Sequence, residues 1–205
     1  MTHIGMKRNM ITTFLFDLGG VLFTNGTKHF ISELSKKYSL SEDFVKDVID
    51  GELGTQYREG IISRDEFWTN VKEKLAISES VGSLEKQWIQ GFELIPETKN
   101  YIKELSVKYN VFYLSDNVKE RVEALDLRFQ FISLFKGGIF SHEVGVRKPD
   151  PKIFTFALSK AQALPVETVF IDDKESNLEP AKKMGITPLL FISPTQLRRD
   201  IEKYL

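Results

Sequence analysis

The chain contains no cysteine and only three histidines. Disulfides, thiolate nucleophiles and zinc–thiolate centres are therefore excluded, and His3, His29 and His142 are too scattered to form a metal set. Charge of either sign is not in excess. The 28 Lys and Arg face 29 Asp and Glu for a formal net −1, and the cations are spread along the whole length. There is thus no basic footprint for nucleic acid and no polybasic membrane face, and neither is expected as a partner. Long hydrophobic runs are missing as well: the longest apolar stretch, Ile11 to Phe23, is too short to span a bilayer and holds Asp17. The leader MTHIGMKRNM has positive charges but no uninterrupted apolar region or small-residue cleavage site after it. It reads as a frayed leader rather than a signal peptide, and the cytoplasm is the expected location.

What is present fits an ordinary globular protein, with 41% hydrophobic and 28% charged residues in 205. That length allows one good-sized domain, or two small ones sharing a core, in a monomer or weak homodimer. Short apolar runs recur and each ends at a polar or glycine-rich break: TFLFD (13–17), VFYLSD (111–116), GGIFSH (137–142), TVFIDD (168–173) and TPLLFI (187–192). Their β-branched and aromatic content, without clean alternation, suits strands buried on both faces of a parallel sheet. Helical patterns lie between them. Pro96 to Tyr109 puts Tyr101, Ile102, Leu105 and Tyr109 on one side, while Asp150–Pro151 and Ser193–Pro194 each pair an N-cap with a first-turn proline. The alternation predicts an α/β fold with a doubly wound, Rossmann-like parallel sheet.

One interval breaks the rhythm. About 98 residues separate Asp17 from Ser115, far more than the ~30 of a βαβ unit. The excess reads as helical throughout. Its stripes are Phe30, Leu34 and Tyr38; Phe44, Val45, Val48 and Ile49; Phe67, Trp68, Val71 and Leu75 behind a Ser63–Glu66 capping box; and Leu84, Trp88 and Phe92. These predict a small all-helical cap subdomain at 24–94, inserted after the first strand of a core domain made of 11–23 and 95–205. The polar stretch Gly51 to Ile62 is expected as a turn on the cap's lip, with Gln56 and Arg58 exposed as possible specificity contacts.

Ligands of open parallel sheets sit at the carboxyl ends of the strands. The polar residues there are Asp17, Ser115, Asp172 and Asp173, with Lys148 past the third strand. Singly, Asp17, Ser115 and Asp173 would serve as helix caps, and Lys148 as a solvated loop cation. Together they offer acids for a divalent cation, a hydroxyl and one positive charge, a set suited to a phosphate dianion held beside Mg2+.

The same stretches, FLFDLGGVLF, YLSDN, GVRKPDPKIF and VFIDDKESNLEPA, resemble in order and spacing the four motifs of the haloacid dehalogenase-like superfamily. The long helical insertion resembles that family's helical cap, and the DLGG variant resembles a phosphatase subgroup that includes a glucose-1-phosphate phosphatase. The resemblance implies a Mg2+-dependent phosphatase acting on small phosphorylated metabolites, sugar phosphates first. Asp17 would be the nucleophile that becomes an aspartyl-phosphate. Mg2+ would take the Asp17 carboxylate, the Gly19 carbonyl and Asp173, with Asp172 acting through a water and Asn177 holding the acidic loop. Ser115, Lys148 and the backbone N–H groups of Leu18, Gly19 and Asp116 would hold the phosphoryl oxygens.

Two positions depart from the family pattern. Most of its phosphatases carry a second acid where this chain has Gly19, and positioned acid–base groups typically contribute ~10²–10⁴-fold. An acidic leaving group such as an anomeric hydroxyl would need less protonation. Alternatively His142, Glu143 or a cap side chain would substitute, and Gly19 itself would permit a tight turn that aims its carbonyl at the metal. Asp116 would repel phosphate unless it turns away, for instance to cap the helix starting near Val118. The alternatives to a phosphatase are a catalytically weak or inactive binding or regulatory domain, a phosphomutase, and a dehalogenase-type hydrolase, which is metal-independent and has little use for Asp172 and Asp173 together.

Overall fold

The structure, a computed structural model, describes residues 10–205; the leader reading of residues 1–9, and His3 with it, lies outside the described residues. The strands are β1 (Thr13–Phe16), β2 (Asn110–Ser115), β3 (Gly137–Phe140), β4 (Thr168–Asp172) and β5 (Thr187–Leu190). They form one parallel sheet in the order β3-β2-β1-β4-β5. Each ends one or two residues before its apolar run does. The order reverses direction at β1, the topological switch point where a crevice opens above the strand ends. Registers of Phe16 with Tyr113 and with Ile171 bring the ends of β1, β2 and β4 within two residues of one another.

Between β1 and β2 the described chain is helical: α1 (Gly26–Tyr38), α2 (Glu42–Asp50), α3 (Glu52–Arg58), α4 (Arg64–Leu75) and α5 (Val81–Gln90). α6 (Pro96–Ser106) then leads into β2, and α7 (Lys119–Phe129), α8 (Ser141–Val144), α9 (Pro151–Ala161), α10 (Glu175–Lys183) and α11 (Pro194–Ile201) follow the remaining strands. The local signals behave as their chemistry requires. Ser63 and Glu66 close a capping box on α4, Asp150 accepts from the Lys152 amide at 2.8 Å, and Ser193 accepts from Gln196 at 3.2 Å.

The strands are buried on both faces, and their side chains sort by parity. Phe14, Phe16, Val111, Tyr113, Val169 and Ile171 join one apolar cluster that continues into α1, α2, α4 and α5. Leu15, Phe112, Leu114 and Phe170 join a second cluster with α9 and α10. Inside the helical insertion, Phe30 stacks on Trp88 at 4.8 Å, Trp68 stands edge-on to both, and Tyr57 stacks on Phe67 at 4.4 Å.

The stretch Gly51 to Ile62 departs from expectation. It is not an open turn with an exposed arginine; most of it is α3, and Arg58 is 4% exposed. Its guanidinium pairs with Asp50 at 3.0 Å and donates to the Gly54 carbonyl at 3.0 Å. Tyr57, packed on Phe67, anchors the turn against the cap core, and Asp50 supplies the counter-charge that makes burial tolerable. α3 also carries the polar ties across to the strand-end loops. Ser141 donates to the Arg58 carbonyl at 2.6 Å, Arg147 to the Thr55 hydroxyl at 2.8 Å, and the Tyr57 hydroxyl to Glu120 at 3.0 Å.

Truncating the stacked aromatic should be costly and removing the cap mild. Phe30→Ala is expected to cost about 3–5 kcal/mol of unfolding free energy, and Ser63→Ala about 1 kcal/mol. Denaturant midpoints at unchanged slope would show both.

Candidate active site

Lys148 organises the strand ends. Its Nζ lies 2.8 Å from Asp17 Oδ1 and 2.8 Å from Asp172 Oδ2, and it donates to the Leu114 carbonyl at 3.0 Å. One ammonium thus joins the ends of β1, β2 and β4, with all three of its donors used. Burial alone would lower its pKa, but Asp17, Asp172 and Asp116 outweigh that and hold it above the ordinary lysine value. Burial pushes Asp17 up to about 7, with Asp172 and Asp173 adding to the rise and Lys148 opposing it. Burial and Asp172 raise Asp173 likewise.

None of the three suspected capping residues caps a helix. Asn25 caps α1, while α7 and α10 begin without a side-chain cap. Asp172 spends its oxygens elsewhere. Oδ1 accepts from the Lys174 amide at 2.9 Å and from Asn177 at 3.0 Å, and Oδ2 takes Lys148. Asp172 therefore orients Lys148 and the acidic loop, with Asn177 bridging both of its oxygens.

Asp17, Asp172 and Asp173 each offer an oxygen within 4.8 Å of the others. Asp173 Oδ1 is buried with no hydrogen-bond partner, an unmet acceptor of the kind a cation satisfies. At Gly20, φ is +92°, and a Cβ there would sit 2.3 Å from Asp173 Oδ2, so only glycine leaves room for that carboxylate. An all-oxygen set fits a hard cation such as Mg2+.

The required turn is thus at Gly20, not Gly19. Gly19 lines the cleft in front of Asp17, and a Cβ added there would meet nothing within 4 Å. The Gly20, Val21, Leu22 and Phe23 amides bond within the loop, whereas those of Leu18 and Gly19 are not spent there among the described residues. Ser115 is buried one residue beyond Leu114. Asp116 turns to motif three, accepting from the Lys148 amide at 3.0 Å and from Arg147 at 3.4 Å. Its charge is offset there, and it caps no helix.

The cleft above holds about 510 Å3. Lys28, Lys46, Glu42 and Asp43 from α1 and α2 line it, together with Arg58, Asp116, Arg147 and Lys174. Arg147 was not singled out in the sequence, although it is the first residue of the RKPDP stretch. Gln56 is not in this cleft; it bonds to Glu52 and lines a separate hollow beside Phe44 and Lys74. His142 and Glu143 do not line it either, since His142 bonds to the Asn117 carbonyl and Glu143 accepts from the Phe140 amide.

The profile of the haloacid dehalogenase-like hydrolases matches residues 14–191. The chain belongs to this family. D-Ribitol-5-phosphate phosphatase of Bacteroides thetaiotaomicron is 26% identical over 185 residues, covering 86% of this chain and 89% of that protein. A sesquiterpene phosphatase of Aspergillus oryzae is 26% identical over 187 residues, covering 88% and 91%. A haloacid dehalogenase family enzyme from Bacteroides thetaiotaomicron, solved in complex with magnesium and inorganic phosphate, superposes with a TM-score of 0.77 at 26% identity, covering 88% of this chain and 93% of that one. The chain is accordingly a hydrolase with phosphatase homologues, and among the described residues no helix is long and apolar enough to cross a membrane.

Removing the ammonium would leave Asp17 and Asp172 buried without a counter-charge. Lys148→Met is therefore expected to cost about 3–5 kcal/mol in chelator-treated protein. Adding Asp17→Asn in the same chain should recover part of that loss, a coupling readable from a double-mutant cycle of unfolding free energies.

Proposed function

We propose that the protein is a Mg2+-dependent phosphatase of small phosphorylated metabolites, with sugar phosphates the first class to test, working through an aspartyl-phosphate on Asp17. The observation that carries this reading is the ammonium of Lys148 held against Asp17 at the floor of a cleft. A carboxylate so placed faces an incoming phosphoryl group with cationic charge already fixed beside it. Asp17, the Gly19 carbonyl and Asp173 would hold Mg2+, and the bound ion would neutralise charge on the phosphoryl oxygens.

The chain's own residues supply the remaining chemistry. An Asp17 oxygen attacks phosphorus as the bond to the ester oxygen breaks; water then cleaves the acyl phosphate and restores the carboxylate. The Ser115 hydroxyl and the Leu18, Gly19 and Asp116 amides bind the three equatorial oxygens, and the Lys148 ammonium, its donors held by Asp17, Asp172 and the Leu114 carbonyl, offsets their charge. Gly19 offers no proton to the departing alkoxide, and His142 and Glu143 are engaged elsewhere. Glu42, Asp43 and Asp50 are cleft-lining acids of the insertion, and Asp50 is committed to Arg58. A leaving group of low basicity, such as an anomeric sugar oxygen, suits a site of this kind. The substrates of the relatives, a pentitol phosphate and a sesquiterpene phosphate by their names, differ widely in leaving group. They support phosphate-ester chemistry more than one substrate. A phosphate ester, Mg2+ and water are all available in the cytoplasm, with which a chain free of cysteine is compatible.

Turnover of p-nitrophenyl phosphate and a panel of sugar phosphates with Mg2+ is expected, and its loss both with chelator and in Asp17→Asn. Binding of beryllium fluoride with Mg2+ but no turnover would favour the regulatory reading; turnover surviving chelation would favour dehalogenase-type chemistry. Because a Cβ at position 19 meets nothing within 4 Å, Gly19→Asp should fold normally and raise turnover. The gain should approach ~10²-fold or more for alkyl phosphates and stay small for p-nitrophenyl phosphate, whose leaving group needs no proton.

A further inference from the structure

A second cavity, of about 150 Å3, lies where α7 meets the helical insertion. It shares no lining residue with the catalytic cleft. Arg121 lines it, 6% exposed, and no carboxylate of the described residues is within ion-pair distance of its guanidinium. Its one hydrogen bond runs from Nη1 to Asn117 Oδ1 at 3.2 Å, and its flat face lies 3.8 Å from the Trp88 ring centroid. Cation–π contact offsets only part of the cost of taking a guanidinium out of water, so this group remains under-compensated. Burial lowers its pKa to about 9. The other buried arginine of the seam, Arg58, has Asp50.

The two carboxylates that also line the cavity are already engaged. Glu85 takes Arg64 and the Trp68 indole N–H, and Glu120 accepts from the Tyr57 hydroxyl. The remaining wall is largely apolar, formed by Trp68, Trp88, Ile89, Val118 and Ala124 with the Tyr57 ring. We propose that this cavity binds a small monocarboxylate, its carboxylate on the Arg121 guanidinium and its short apolar tail against Trp68, Trp88, Ile89 and Val118. A guanidinium fork with unspent N–H donors matches a carboxylate in plane. An apolar cavity of this volume accommodates a molecule the size of benzene, which has as many heavy atoms as butyrate. Larger or dianionic ligands do not fit, since Glu85 and Glu120 repel a second charge. Arg121 is itself bonded to Asn117, which lies two residues along the chain from Ser115.

Trp68 and Trp88 are the only tryptophans in the chain and both line this cavity, so indole signals of the full-length protein report on it directly. Titration with sodium butyrate should shift the Trp68 and Trp88 indole N–H resonances and the tryptophan emission saturably. n-Butylammonium chloride and sodium chloride at equal ionic strength should not. The response should persist in Asp17→Asn and with inorganic phosphate present, and in Arg121→Gln the affinity should fall about tenfold or more. No saturable shift, an equal response to butylammonium, loss of the response in Asp17→Asn, or undiminished binding by folded Arg121→Gln would each overturn the proposal. Should Arg121→Gln fail to fold, the wild-type resonances with the two control salts decide the matter.

Discussion

A single ammonium group holds the strand ends together. Three carboxylates, Asp17, Asp172 and Asp173, gather where β1 and β4 end, two of them buried. Like charges this close would drive one another to protonate or part. Lys148 makes the arrangement stable by sitting 2.8 Å from two of them and pinning the Leu114 carbonyl of β2 as well. The sheet order makes this possible, because β1 lies between β2 and β4 and the three strand ends fall within two residues of one another. Phosphoryl transfer needs positive charge fixed before the substrate arrives, and the fold supplies it as a structural requirement of its own acids.

The first-motif loop divides two duties between adjacent glycines. Gly20 carries the left-handed backbone and gives way to Asp173, a steric demand that no other residue meets. Gly19 faces open space in the cleft, so nothing in the backbone explains the missing acid there. Glu42 and Asp43 of α2 line the same cleft, in which Gly19 itself has no proton to give.

Much of this was readable from residue order. Apolar runs bounded by polar or Ser-Pro breaks gave each strand to within two residues, since the chain leaves a sheet buried on both faces soon after its side chains turn polar. Spacing of about 98 residues exposed the insertion, and the Ser63–Glu66 and Asp150–Pro151 signals fixed helix starts through purely local hydrogen bonds. The four strand-end side chains were legible because parallel strands bring residues distant in sequence to one edge. Gln56 and Arg58 were not, because their fate rests on Tyr57 stacking on Phe67 and on a counter-charge eight positions earlier. The engagement of His142 with the Asn117 carbonyl and the arrival of Arg147 in the cleft likewise depend on how separate loops meet, which no local pattern encodes.

The division of the interior into two clusters bears on how such proteins diversify. The face of the sheet under α9 and α10 is completed by helices that every strand-to-strand connection of this type provides. The opposite face carries α6, α7 and α11 side chains such as Ile102, Leu125 and Ile201, and the same apolar cluster runs on from Phe16 and Tyr113 into Phe30 and Trp88 of the insertion. Exchanging that insertion for one from a relative would not be a modular swap of an accessory. The side chains where that cluster crosses from sheet to insertion would have to be rebuilt with it, so altering cleft-lining side chains on α1 and α2 disturbs the interior less than transplanting the whole unit.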